Sequence, residues 1–448
     1  MTTPRDRSLG DGNRSSARRR FFRILFLACA AIVSPIYGSL AGGTTTGAQT
    51  ADLAPIESAV LTSYYGRIPQ GIAVDAAVDR VFLTGVEPPT ITALRMSSLS
   101  PAGSLAWGYA PGAIAADTRR HRIAVVNGGG VISRTSIDLV QAADFTTTSV
   151  SLLDAVTLSP VAVRRAGMHA GGESLVENAT GIMWDQVGGR FFLTDQGRVD
   201  VVPPNVAGLP PTLRVFDADS FEQIAVDPPD PVVGMAAVLE PRLVRWHHAF
   251  AVDGALERVY QLAVTSSLVL LERDARDLTI VATTPLPGLT TAGGRWHRMS
   301  VDLNTHRMVI STLGPSSGPW LLSFDPSSRT WLSMQSPSPA LTRSEQIGIN
   351  LHPLAVDSAA GVAYVASAIS HELLAYDTRS LCPLGQVKLE GIPRMIAVDE
   401  VNHRVFTVTS SEQPATRGFP VLTSFEGIAT SESTIPAGPC GEPWTPGG

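Results

Sequence analysis

Along most of this chain, short apolar runs come in pairs, each pair joined by a polar turn. The clearest pair spans 70–85, QGIAVDAAVDRVFLTG. It holds an apolar run containing a small residue, a closing Asp, four turn residues, an Arg and a second apolar run. The pattern returns at 112–127, 180–195, 247–264, 297–313, 352–367 and 394–410, which makes seven copies. Short runs rich in β-branched and aromatic residues and bounded by turn formers predict strands joined in hairpins. The first run is apolar on both faces, with a small residue between larger ones at Ala73, Ala115, Ala251, Ser300, Ala355 and Ala397. A strand buried between two neighbouring sheets needs that pattern.

The closing acids are Asp75, Asp117, Asp185, Asp253, Asp302, Asp357 and Asp399, spaced 42, 68, 68, 49, 55 and 42 residues apart. The shortest spacings fit a four-stranded unit of about 40–45 residues, and the longer ones hold insertions. Third strands end in apolar–acid pairs such as Phe216-Asp217, Phe324-Asp325 and Tyr376-Asp377. Seven such units predict an all-β fold: one seven-bladed β-propeller of four-stranded antiparallel blades over 57–440. Two segments, 57–65 and 427–435, compete to supply the outer strand of the last blade.

Local chemistry follows from the same unit. Each closing Asp is expected to accept turn amides. The Arg five residues later (Arg80, Arg122, Arg190, Arg258, Arg307, Arg404) is expected to pair with it across the hairpin; Val362 replaces it in the sixth copy. His121, His306 and His403, each four after an Asp, read as exposed turn residues. The inserts within 131–178 and 198–246 read as loops, the second from its PPNVAGLPP and DPPDPVVGM stretches.

The GIAVD…RVFLT units resemble the YVTN/NHL-type propeller repeats of bacterial secreted proteins. The resemblance covers most of 60–435 and implies architecture far more than activity, because the fold hosts many functions. HPLAVD and HHAFAVD are also similar to the inner strands of lactonase-type propellers. That resemblance implies acid–base roles for channel-mouth His and Arg, which by position are His248, His297, His352 and Arg394.

Charge and composition narrow the partners. A net charge of −6 with 17% charged residues leaves no polybasic surface beyond the N-terminus, which argues against nucleic acid. Residues 1–41 read as a signal segment. Arg18-Arg19-Arg20 precede an apolar run from Ile24 to Val33, and Ser39-Leu40-Ala41 offers a cleavage site. Arg18-Arg19-x-Phe21-Phe22-Arg23 resembles a twin-arginine signal; an ordinary secretory signal is the other reading. The mature protein is thus expected to be periplasmic or secreted and monomeric, with no membrane span. Residues 42–56 read as a flexible lead-in and 441–448 as a disordered tail. Cys382 and Cys440 are the two mature thiols, and in an oxidising compartment a disulfide between them would pin the tail to the ring.

The residue five before each closing Asp starts the inner strand at the channel mouth. In order these are Gln70, Gly112, Thr180, His248, His297, His352 and Arg394. Three adjacent blades give His and the next gives Arg, with Trp246, His247 and Trp296 beside them. Three His with an open position suit a divalent metal ion that activates water. His with Arg suits anion binding or general-acid work. A third reading has these side chains simply filling the rim. His169 and Glu173, before the third inner strand, are further candidates for a polar site. Two functions remain open on the sequence: a binding or scaffold protein for a small polar ligand or a protein partner, or a lactonase-like or metal-assisted enzyme.

Overall fold

The computed structural model describes residues 51–64, 69–86, 89–107, 111–127, 149–165, 179–195, 199–202, 205–208, 212–227, 249–264, 268–286, 298–311, 319–335, 353–368, 370–410, 418–428, 440 and 442–443. Seven antiparallel sheets stand as blades, each with consecutive strands side by side. Their innermost strands are Gly71–Asp75, Pro111–Asp117, Ala179–Asp185, Phe250–Asp253, Arg298–Asp302, Leu354–Asp357 and Ile392–Asp399. Each neighbours the next, and the seventh neighbours the first, so the ring closes. Among the described residues no helix is long and apolar enough to cross a membrane.

The core is a set of blade joints. One apolar cluster lies at each of the seven junctions, including that between blades seven and one, where Phe406, Val408 and Leu422 meet Tyr64, Leu83 and Leu99. The inner strands explain the small–large pattern. Ala73, Ala115, Ala251 and Ala355 face the following blade. Larger neighbours such as Ile114, Trp184 and Phe250 face the preceding one. Near the axis the blades converge, so one face of each strand has room only for a methyl group.

The N-terminal segment closes the ring. Pro55–Val60 pairs antiparallel with Pro420–Glu426 as the outer strand of blade seven. Chain pairing begins before the expected boundary at 57: Ala51–Asp52 lies parallel to Pro383–Lys388, the outer strand of blade six. The opposite terminus is stitched on as well. Cys382 and Cys440 form a disulfide, and the Cys440 amide donates to the Ser380 carbonyl at 2.9 Å. Glu442–Pro443, inside the expected tail, pairs with Ser333 and Leu332 in the outer strand of blade five. In blade three, Val199–Val202 and Asn205–Gly208 form an inserted hairpin where composition suggested a loop.

Candidate functional site

A propeller has two faces, and this chain separates their chemistry. The hairpin face carries the turns after each closing Asp. All seven acids are buried, with 2% of their surface or less exposed. As expected, each Oδ1 accepts turn amides, for example from Val187 and Gly188 at 3.0 and 2.7 Å in blade three. The fourth turn residue has positive φ in every copy: Asp79, His121, Gly189, Glu257, His306, Gly361 and His403, at 52–67°.

The three turn histidines are not free surface residues. Each reaches back to the buried Asp of the preceding blade: His121 Nδ1 to Asp75 Oδ2 at 3.1 Å, His306 to Asp253 at 2.8 Å and His403 to Asp357 at 2.7 Å. They therefore staple adjacent blades. Where that position holds no His, another donor fills the place. Thr378 donates to Asp302, Asn402 to Asp399, Arg190 to Asp185 and Arg120 to Asp117. A buried carboxylate left unpaired would be costly, so the substitution of donors follows.

The predicted Asp–Arg hairpin pair forms in blade three, where Arg190 Nη2 meets Asp185 Oδ2 at 2.7 Å. The other arginines go elsewhere. Arg122 donates to the Ala218 carbonyl of blade three and Arg404 to the Met96 carbonyl of blade one. Arg258 and Arg307 pair with acids of their own third strands, Glu272 and Asp325. His and Thr already occupy several Asp carboxylates, so these guanidiniums reach past them.

One acid on this face titrates unusually. Burial of the Glu400 carboxyl pushes it up to about 7, and the nearby Asp357 and Asp302 add to the shift. The residue as a whole is exposed, yet its carboxyl end accepts from the Ser358 amide and hydroxyl of blade six.

The other face holds the starts of the inner strands, and the connections entering them, by topology. Two inner strands start against a neighbouring blade: a Cβ on Gly71 would sit 2.8 Å from the Gly112 carbonyl, and one on Gly181 would sit 3.0 Å from the Phe250 ring. In sequence, His248, His297 and His352 precede the first residues of their inner strands by two, one and two positions. They lie outside the described residues, as do Trp246, His247, Trp296, His169, Glu173 and the signal segment 1–41. Among the described residues no three metal-ligating side chains come together.

Arg394 is the predicted site residue that the structure describes. It sits at a β-bulge between Pro393 and Met395, where the ladder to the second strand of blade seven slips by one residue. The side chain is half-buried, and its buried Nε has no acceptor among the described residues. Burial holds its guanidinium below the ordinary value. The sequence reading missed a second cation, Arg298, which opens the inner strand of blade five beside His297 and is likewise lowered by burial. Its signal was available: it and Arg394 are the only charged residues in the seven inner strands ahead of their closing Asp.

No protein-family model matches this chain, and no curated protein sequence matches it. Among solved structures it is similar to Kuenenia stuttgartiensis hydrazine synthase, with a TM-score of 0.54 and 9% sequence identity. The match covers 81% of this chain and 96% of that one. At that identity the likeness shows the propeller fold alone.

Proposed function

We propose that this protein is an exported binding or scaffold propeller of the YVTN/NHL type, with its ligand site at the channel mouth on blades four to seven. The observation that carries the reading is Arg394, a half-buried cation at the start of an inner strand with an unsatisfied Nε. A buried donor without an acceptor is expensive unless something else supplies one. The disulfide fits an oxidising compartment and agrees with export through the segment 1–41.

The test combines ligand and metal measurements on the purified mature protein. Thermal unfolding with a panel of small polar compounds should show stabilisation that is lost in Arg394→Gln. Metal analysis should find no stoichiometric ion, and simple lactones should not be turned over. Stoichiometric metal removed by His248→Ala with His297→Ala, together with lactone hydrolysis, would replace this reading with the enzyme.

A further inference from the structure

Several buried or half-buried arginines of this ring have acids to match, while Arg122 and Arg404 reach backbone carbonyls. Arg273, 2% exposed, donates to Asp227 Oδ1 at 2.8 Å and to Gln261 Oε1 at 3.0 Å. Arg190 has Asp185, Arg120 spans Asp117 and Asp219, and Arg258 has Glu272. This is the usual arrangement, since a desolvated charge needs a partner. Arg394 breaks it: no ion pair or hydrogen bond holds its guanidinium among the described residues, although burial disfavours its charge.

The inner strands themselves supply no acid. The seven inner strands ahead of their closing Asp contain no Asp or Glu. Their only charges are Arg394 in blade seven and Arg298 in blade five, on either side of blade six. The bulge at Arg394 matters as well. Bulges re-aim a side chain out of the regular alternation and are over-represented beside functional sites. Here the re-aimed residue is the unpaired cation.

We propose that the channel mouth is an anion site in which Arg394, with Arg298 across blade six, binds a carboxylate- or phosphate-bearing small molecule. Guanidinium suits this role because its planar fork matches both groups bidentately. The half-buried setting strengthens each charge-assisted bond relative to bulk water. This inference rests on the channel-mouth reading above and names its ligand class.

The experiment is isothermal titration of the mature protein with inorganic phosphate and with citrate, at low and high salt, using glucose as a neutral control. Both anions should bind at one site, more weakly at high salt, and glucose should not. Arg394→Gln should weaken anion binding by roughly tenfold or more, the loss expected for a charge-assisted hydrogen bond. Without anion, the same variant should unfold at a higher temperature than wild type, because it removes a desolvated charge. A cation serving only the fold would show a lower unfolding temperature instead. Arg298→Gln should weaken binding too; if it fails to fold, Arg394→Gln carries the test alone. Equal anion affinity in wild type and Arg394→Gln overturns the proposal. Binding of glucose at the mouth, unaffected by Arg394→Gln, overturns the anion assignment and leaves the channel-mouth reading in place. No response to any compound in the wider panel removes that reading too.

Discussion

In blade seven, His403 sits at a φ of 53° and sends Nδ1 2.7 Å to Asp357 of blade six, whose side chain is fully buried. Asp357 Oδ1 keeps the Ala360 amide without it, but Oδ2 loses its partner. His403→Ala should therefore destabilise by about 1–3 kcal/mol, the cost of an unsatisfied buried acceptor. His403→Asn should recover part of the loss, because Asn tolerates left-handed φ and offers a donor. Urea unfolding of the two variants checks this, and equal midpoints for wild type and His403→Ala would contradict it. Glu400 gives a prediction in pH. Its folded value is raised to about 7 from an ordinary 4.5, so the folded state holds a proton that the unfolded state has released between those values. Stability then falls as pH rises across that window. Glu400→Gln keeps an acceptor for Ser358 and removes the titration. It should gain stability relative to wild type at pH 8 compared with pH 4.5, read as the difference in urea midpoints. A difference that does not change with pH would sink the assignment.

At the scale of the strand and turn, much was visible in the sequence. The closing Asp and its turn amides follow from local spacing, and so does the small residue squeezed between blades. What escaped depends on the neighbouring blade. His121 meets an Asp 46 residues back and His306 one 53 residues back, so no local rule connects them. The Arg destinations failed for the same reason: Arg404 reaches Met96 across 308 residues. One signal was overlooked. After the third strands of five blades comes a buried residue in left-handed conformation: Leu99, Leu158, Phe221, Leu278 and Leu381. Each follows an Asp or Arg by four residues, and that spacing is readable. The disulfide joins one such turn, through Cys382 beside Leu381, to Cys440 over a separation of 58 residues. Loop-closure entropy gives it about 4 kcal/mol. Reduction with dithiothreitol should lower the unfolding midpoint and remove hydrogen-exchange protection from Ser333, which pairs with the tail strand. An unchanged midpoint would show that the tail does not stabilise the ring.

For the whole molecule, the N-terminal segment closes the ring and both terminal segments add short strands to outer edges. Pro55–Val60 completes blade seven, and Ala51–Asp52 and Glu442–Pro443 extend blades six and five. The sequence left two candidates for the closing strand because both are short and half-apolar. The Pro55–Val60 strand takes the edge, and at the start of the competing segment the Ile428 amide donates to the Tyr364 hydroxyl of blade six at 2.8 Å. Among the described residues, the closing acids and the inner-strand arginines lie at opposite ends of the inner strands. The hairpin face buries seven acids that are all answered from within the chain. The mouth carries Arg298 and Arg394 and no acid in its inner strands. The most direct test of that polarity is anomalous diffraction from crystals of the mature protein soaked in selenate. A peak within hydrogen-bonding distance of the Arg394 guanidinium, on the side of blade six, is the predicted result. A mouth without selenate, with Arg394 paired to a carboxylate of its own chain, would contradict it.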